Sequence, residues 1–324
     1  MKVRAMVNSS LRVAACIGAL SGGLLHLTAT PQAPESGLSL TPAEIEIYKN
    51  AKTLIDWPPR QIQHCPYLRK LKSAASQDQL PMILERVGKA VTDQFHDFPK
   101  VACDEEISET HPVQSVELMG GTPMSRASEV TVARKLRYIV IPWPEGDLPA
   151  FEEYRTDLNG KPLDASSLSD LTMISAKYAS TYMYFSPADQ HDNRYCYFGT
   201  QTLRDRTCHV VGFAQAPERA RRIDRFHASG VTFGFLSQGL AWIDCESFQI
   251  LRVTSWLLAS RKDIGVTAQT STVDFYSVRL SGSERDLWLP RDVTVLLDFL
   301  GTKVRNTHRY SHYMLFRVEV KPGT

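Results

Sequence analysis

Apolar and polar residues alternate in short runs over the last third of this 324-residue chain, with turn residues between the runs. Cys208–Ala214, Gly239–Asp244, Phe248–Thr254, Thr272–Val278, Asp292–Phe299 and Arg309–Val318 all read this way. Side chains on a strand point alternately to two faces, so each run has one face to bury and one to wet. Together the runs predict a large antiparallel sheet with a single hydrophobic side. Arg137–Ile141 predicts a further strand, closed by Pro142-Trp143-Pro144, and Lys177–Phe185 another. A helix is expected near 216–228. Residues 104–130 are polar with little periodicity and read as an irregular edge strand or a loop. Residues 145–170, with Asn159-Gly160, read as a long connection.

The first hundred residues have a different period. Thr41-Pro42-Ala43-Glu44 fits a helix start, with Thr as cap, Pro in the first turn and Glu reaching back. Apolar residues follow at helical spacing until Trp57-Pro58-Pro59. A second start at 76–79 precedes the stripe Leu80, Ile83, Leu84, Val87, Val91 and Phe95, which ends at Phe98-Pro99. Cys65–Leu71 reads as a short helix between them. The expected fold class is therefore α+β: N-terminal helices over 41–100 packed against a large curved antiparallel sheet over 101–324, an open half-barrel forming one domain with the helices.

Residues 1–29 form a separate unit. Lys2, Arg4 and Arg12 lead into the apolar stretch Val13–Ala29, and Thr30-Pro31 follows. A basic start, a short apolar stretch and small residues at its exit are the parts of a secretory signal. The stretch is shorter than the ~20 apolar residues of a membrane span. The expectation is export to the periplasm or cell envelope of a bacterium, with 30–40 as a flexible leader and at most peripheral contact with a membrane. Losing that segment takes the formal net charge from +2 to −1. A near-neutral chain has no electrostatic footprint for nucleic acid. Arg219, Arg221, Arg222 and Arg225 read as the solvated face of the helix expected at 216–228.

Five cysteines remain after export: Cys65, Cys103, Cys196, Cys208 and Cys245. If strand 206–214 pairs with 239–247 so that Phe213 opposes Leu240, Cys208 falls opposite Cys245 and His209 opposite Asp244. Opposed positions place Cβ atoms ~4.5–5.5 Å apart, near the reach of a disulfide. A Cys208–Cys245 bridge and two separately buried thiols are both open on this reasoning. His209 with Asp244 has the composition of an oriented general base, but no nucleophile accompanies it, and a structural cross-strand pair is the leading reading. His308 and His312 fall on the face of Tyr310, Met314 and Phe316, ~13 Å apart and too distant to share a metal. No G-x-S-x-G, H-E-x-x-H, P-loop or G-x-G-x-x-G occurs. No catalytic residue, metal ligand or cofactor is assigned.

The strings Leu240–Arg252, Leu287–Val295 and Arg305–Val318 resemble a family of uncharacterised secreted bacterial proteins over most of 41–320. More distantly, 175–320 is similar to periplasmic lipoprotein carriers of the outer-membrane localisation type. That resemblance implies an unclosed antiparallel barrel around helices, with a hydrophobic cavity for acyl chains. The long helical N-terminal part departs from the carriers' pattern. The leading expectation is a non-enzymatic exported envelope protein binding an apolar ligand, lipid or acylated protein, with Phe213, Leu240 and Trp242 on an apolar strand face. The alternatives are a structural or partner-binding envelope protein with a filled core, and a hydrolase with a dispersed site.

Overall fold

The structure is a computed structural model that describes residues 40–96, 98–119, 122–145, 148–163, 171, 173–175, 178–228, 231–283 and 285–315. It also gives the backbone of 15–17. Side chains at 59, 113–127, 144–148, 173–175 and 225–233 are outside the description. The expected signal segment and leader fall outside it too, except for 15–17 and residue 40.

The helices are α1 (Pro42–Lys49), α2 (Pro59–His64), α3 (Leu80–His96) and α4 (Pro187–Gln190), with 3₁₀ turns at Leu54–Asp56, Pro66–Leu68, Ala179–Phe185 and Lys262–Ile264. Strands β1 (Ala15–Ile17) and β6 (Met173–Ser175) pair in parallel, and β9 (Asp224–Ala228) pairs with β10 (Val231–Phe235). The remaining strands are β2 (Lys72–Ser73), β3 (Val101–Met119), β4 (Thr122–Glu145), β5 (Leu148–Thr156), β7 (Asn193–Leu203), β8 (Arg206–Gln215), β11 (Ser237–Asp244), β12 (Ile250–Leu257), β13 (Val266–Arg279), β14 (Asp286–Phe299) and β15 (Thr302–Leu315). These eleven form one antiparallel sheet in the order β2-β7-β8-β11-β12-β13-β14-β15-β3-β4-β5. It is curved and unclosed, with β2 and β5 at its edges. The fold is α+β, as the two sequence periods predict.

Helix α1 starts as expected. Thr41 Oγ1 accepts from Glu44 N, and the Glu44 carboxylate accepts from Thr41 N at 2.9 Å, which satisfies donors that the first turn leaves open. The stripe of α3 buries Ile83, Val87 and Val91 on the concave side of the sheet.

Four local expectations are corrected. Residues 104–130 are mostly the long paired strands β3 and β4, and β3 lies inside the sheet between β15 and β4. Their inward positions Glu105 and Glu109 are charged yet fully buried, which breaks the hydrophobic period that marks a strand. Residues Ala179–Phe185 form a 3₁₀ helix and not a strand, with Tyr182, Met183, Tyr184 and Phe185 all buried. Its aromatic content mimics a strand, but every side is wanted by the core. The helix expected at 216–228 is one turn followed by β9. There Arg222 leaves the solvated role and pairs with the buried carboxylate of Asp189 (2.9 Å), while Arg221 stays half exposed and pairs with buried Asp192 (3.0 Å). Finally, a bulge after Ser311 turns His312 outward while His308 and Tyr310 stay buried, so the two histidines occupy opposite faces.

The sheet has one hydrophobic side only in part. From β12 to β4 the outward face is largely polar, with Arg252–Asp274, Asp292–Arg309 and Glu106–Lys135 ion pairs across strands and Leu296 exposed among them. Strand β11 is buried at all eight positions, because the segment 51–71 covers its outward face.

Candidate functional site

The segment 51–71 lies as a strap over the outward face of β8 and β11. Proline at 58, 59 and 66 limits it to short helical pieces. It is fastened at several points. Leu54 N donates to the buried Gln238 at 2.8 Å, Arg194 pairs with Asp56 at 2.7 Å, and Gln201 donates to Arg69 O at 2.6 Å while accepting from Trp242 Nε1. Leu54 packs so close to β8 that a Cβ on Gly212 would stand 2.8 Å from it. Upstream, the Glu44 carboxylate and the Tyr48 hydroxyl meet the buried guanidinium of Arg261.

Between this strap and the start of β13 the sheet is left uncovered, and a groove of about 460 Å³ opens. Trp57, Cys65, Pro66 and Tyr67 line it from the strap, and Trp256, Leu257 and residues 267–270 from the sheet and its loop, with Gln61, His64 and Ser260 at its margin. Tyr67 and Trp256 stack across it with centroids 6.2 Å apart and planes 14° from parallel. Burial raises the Tyr67 hydroxyl above its ordinary range. Among the described residues no aspartate, glutamate, lysine or arginine lines this groove. Its chemistry is apolar contact and ring stacking with a few neutral polar groups.

The concave side is different. Tyr182, Met183, Tyr184 and Phe185 fill it together with α3, and Phe213 stacks on Tyr184 at 4.8 Å. Among the described residues, voids of about 10 Å³ lie there between α3, Tyr182 and Phe275 and beside Phe235 and Leu297.

The sequence-based ligand residues do not come together. Phe213 belongs to this concave core, whereas Leu240 and Trp242 face the opposite way, against Leu54, Cys65, Leu68 and Phe198. All three are 0–3% exposed and in contact with the chain's own side chains.

Strands β8 and β11 do pair antiparallel, one residue away from the register considered above. Gly239 opposes Phe213, and Asp244 opposes Cys208. A glycine is needed there: a Cβ on Gly239 would stand 2.7 Å from the Phe213 ring and 2.3 Å from Thr254 O. Cys208 and Cys245 are accordingly not opposed, and both thiols are free. Burial pushes the Cys208 thiol up to about 12. His209 opposes Ile243 and bonds the Tyr197 hydroxyl at 3.2 Å. Asp244 instead takes Arg206 through two bonds of 2.7 and 2.9 Å, and accepts from Ser247 N and Oγ. Burial alone would raise its carboxyl, but these donors hold it at about 2. The general-base pair does not form.

Sequence reasoning missed both the groove and a buried polar cluster on β3, β5 and β15. There Glu105 accepts from Arg155 (2.5 and 2.8 Å), Tyr310 (2.9 Å) and His308 Nδ1 (2.7 Å), and His308 Nε2 meets the Tyr178 hydroxyl at 2.9 Å. Glu153 accepts from the backbone N–H groups of Ala179 and Ser180 and from the Tyr138 hydroxyl. The two glutamates thus fasten the start of the 3₁₀ segment to the sheet. Among the described residues no group of three His, Cys, Asp or Glu is placed to hold a metal ion. No helix among them is long and apolar enough to cross a membrane.

No protein-family model and no curated protein matches the chain. Solved structures do. A DUF1329 family protein from Desulfovibrio piger is 11% identical with a TM-score of 0.33, over 72% of this chain and 92% of its own. A domain assigned to outer membrane lipoprotein sorting, from Vibrio parahaemolyticus, is 12% identical with a TM-score of 0.36, over 71% and 90%. A LolA superfamily protein from Nitrosomonas europaea is 10% identical with a TM-score of 0.29, over 74% and 94%.

Proposed function

We propose that this is a non-enzymatic envelope protein that holds an apolar ligand, a lipid or the acyl chain of an acylated protein, in the groove beside the strap. The observation that carries the reading is the groove itself. Its volume of about 460 Å³ falls in the range of small-molecule sites, and its wall pairs Trp57, Tyr67 and Trp256 with a few neutral polar groups. The basic and apolar N-terminal segment supports export. Phe213, Leu240 and Trp242 have a scaffold role in this reading, since each is covered by the chain's own side chains.

One observation favours a second reading, a partner-binding envelope protein: the concave face is occupied by the 3₁₀ segment and α3. Native mass spectrometry separates the two. The exported chain, purified without detergent, is weighed before and after solvent extraction. An adduct that the extract identifies as lipid supports ligand binding. A clean apo mass, under conditions that keep a control lipid complex intact, favours the filled-core reading.

A further inference from the structure

The groove does not stop at Trp256. On the outward face Trp256 opposes Thr270, Thr270 opposes Leu296, and Leu296 opposes Arg305, a single cross-strand row from β12 to β15. Opposed residues share a face, and neighbouring strands lie ~4.8 Å apart, so the row runs ~14 Å from the groove floor to Arg305. Leu296 is 46% exposed and extends the apolar track. Arg305 is exposed and makes no ion pair among the described residues, whereas Arg252 and Arg309 on the same face are each tied to an aspartate. The adjacent row ends in Asp298 opposite Lys303, one charge of each sign. A neutral aromatic groove, an apolar step and one uncommitted guanidinium follow in line.

Resting on the groove reading, we propose that the occupant is a single-chain anionic amphiphile, its chain over Trp256 and Tyr67 and its charged head on Arg305. A guanidinium suits a carboxylate or phosphate head because its N–H groups form a planar fork.

The test is displacement of the fluorescent probe N-phenylnaphthylamine from the delipidated protein by palmitate and by uncharged cetyl alcohol. Palmitate is expected to bind about fivefold tighter, the upper range for a solvent-exposed ion pair. R305E is expected to remove that preference and leave the alcohol unchanged. R309E, four residues along the same strand, is expected to preserve it, and W256A to weaken both ligands. Thermal melts of R305E matching the native protein establish that the fold is intact. Equal affinities in the native protein, or a preference that survives R305E, overturn the role of Arg305 and leave the groove reading standing. Failure of both ligands to displace the probe, or no effect of W256A on either, overturns both.

Discussion

His308 Nδ1 lies 2.7 Å from a carboxylate oxygen of Glu105, and neither side chain reaches solvent. Burial lowers the His308 imidazole below its ordinary range against the pull of Glu105. For Glu105, burial works to raise the carboxyl, but Arg155 and His308 more than offset it and hold it at about 2. In both cases the unfolded chain binds protons more readily, so stability falls as pH falls. The His308 contribution is present above the ordinary imidazole value of about 6.5 and is lost below it. The Glu105 contribution is present above about 4.3 and is lost toward about 2. The gap in Tm between the native protein and H308Q should therefore narrow as pH drops from about 7 to 5. A gap that widens contradicts a neutral buried imidazole.

Removing the carboxylate should cost more than removing the histidine. E105A leaves the guanidinium of Arg155, itself 7% exposed, without its buried partner. Loss of one member of such a pair is worth about 3–5 kcal/mol. Urea unfolding measures it, and a change near that of a surface mutation would show that water reaches Arg155.

Gly239 should resist the smallest possible enlargement. Its Cβ would enter the space of the Phe213 ring and of Thr254 O. Overpacking of this kind costs about 1–3 kcal/mol. G239A in the same urea assay should show that loss, and an unchanged midpoint would mean the β11–β12 contact is looser than described.

The thiols should differ in reactivity. Cys103 and Cys208 are fully buried, and burial raises both above the ordinary thiol range. Cys196 and Cys245 are partly accessible. Timed alkylation of the native protein with peptide mapping should label the latter pair first. Recovery of a Cys208–Cys245 disulfide-linked peptide would contradict the observed register.

The elements that sequence reveals here are those whose faces differ. The capping residues around Thr41, the stripe of α3 and the alternation of β13 to β15 each separate a buried side from a wet one, and each is where the pattern puts it. The misread segments are those where that contrast fails. Strand β3 carries buried Glu105 and Glu109, which look solvated until Arg155 of β5 and His308 of β15 meet Glu105 and Asn306 of β15 meets Glu109. The 3₁₀ segment at 179–185 is buried nearly all round, so it shows no period. The groove was invisible for another reason. Tyr67 and Trp256 are 189 positions apart, and only the path of the strap brings their rings together. No spacing rule reports such a meeting.

Where an apolar ligand lies can be mapped by photocrosslinking. A fatty acid carrying a diazirine on its chain, activated on the folded protein, marks the residues it touches for peptide sequencing by mass spectrometry. Crosslinks confined to 57–67, 256–270 and the row through Leu296 to Arg305 are the expected result. Crosslinks within α3 or Ala179–Phe185 would place the ligand on the concave side and contradict the groove as its site.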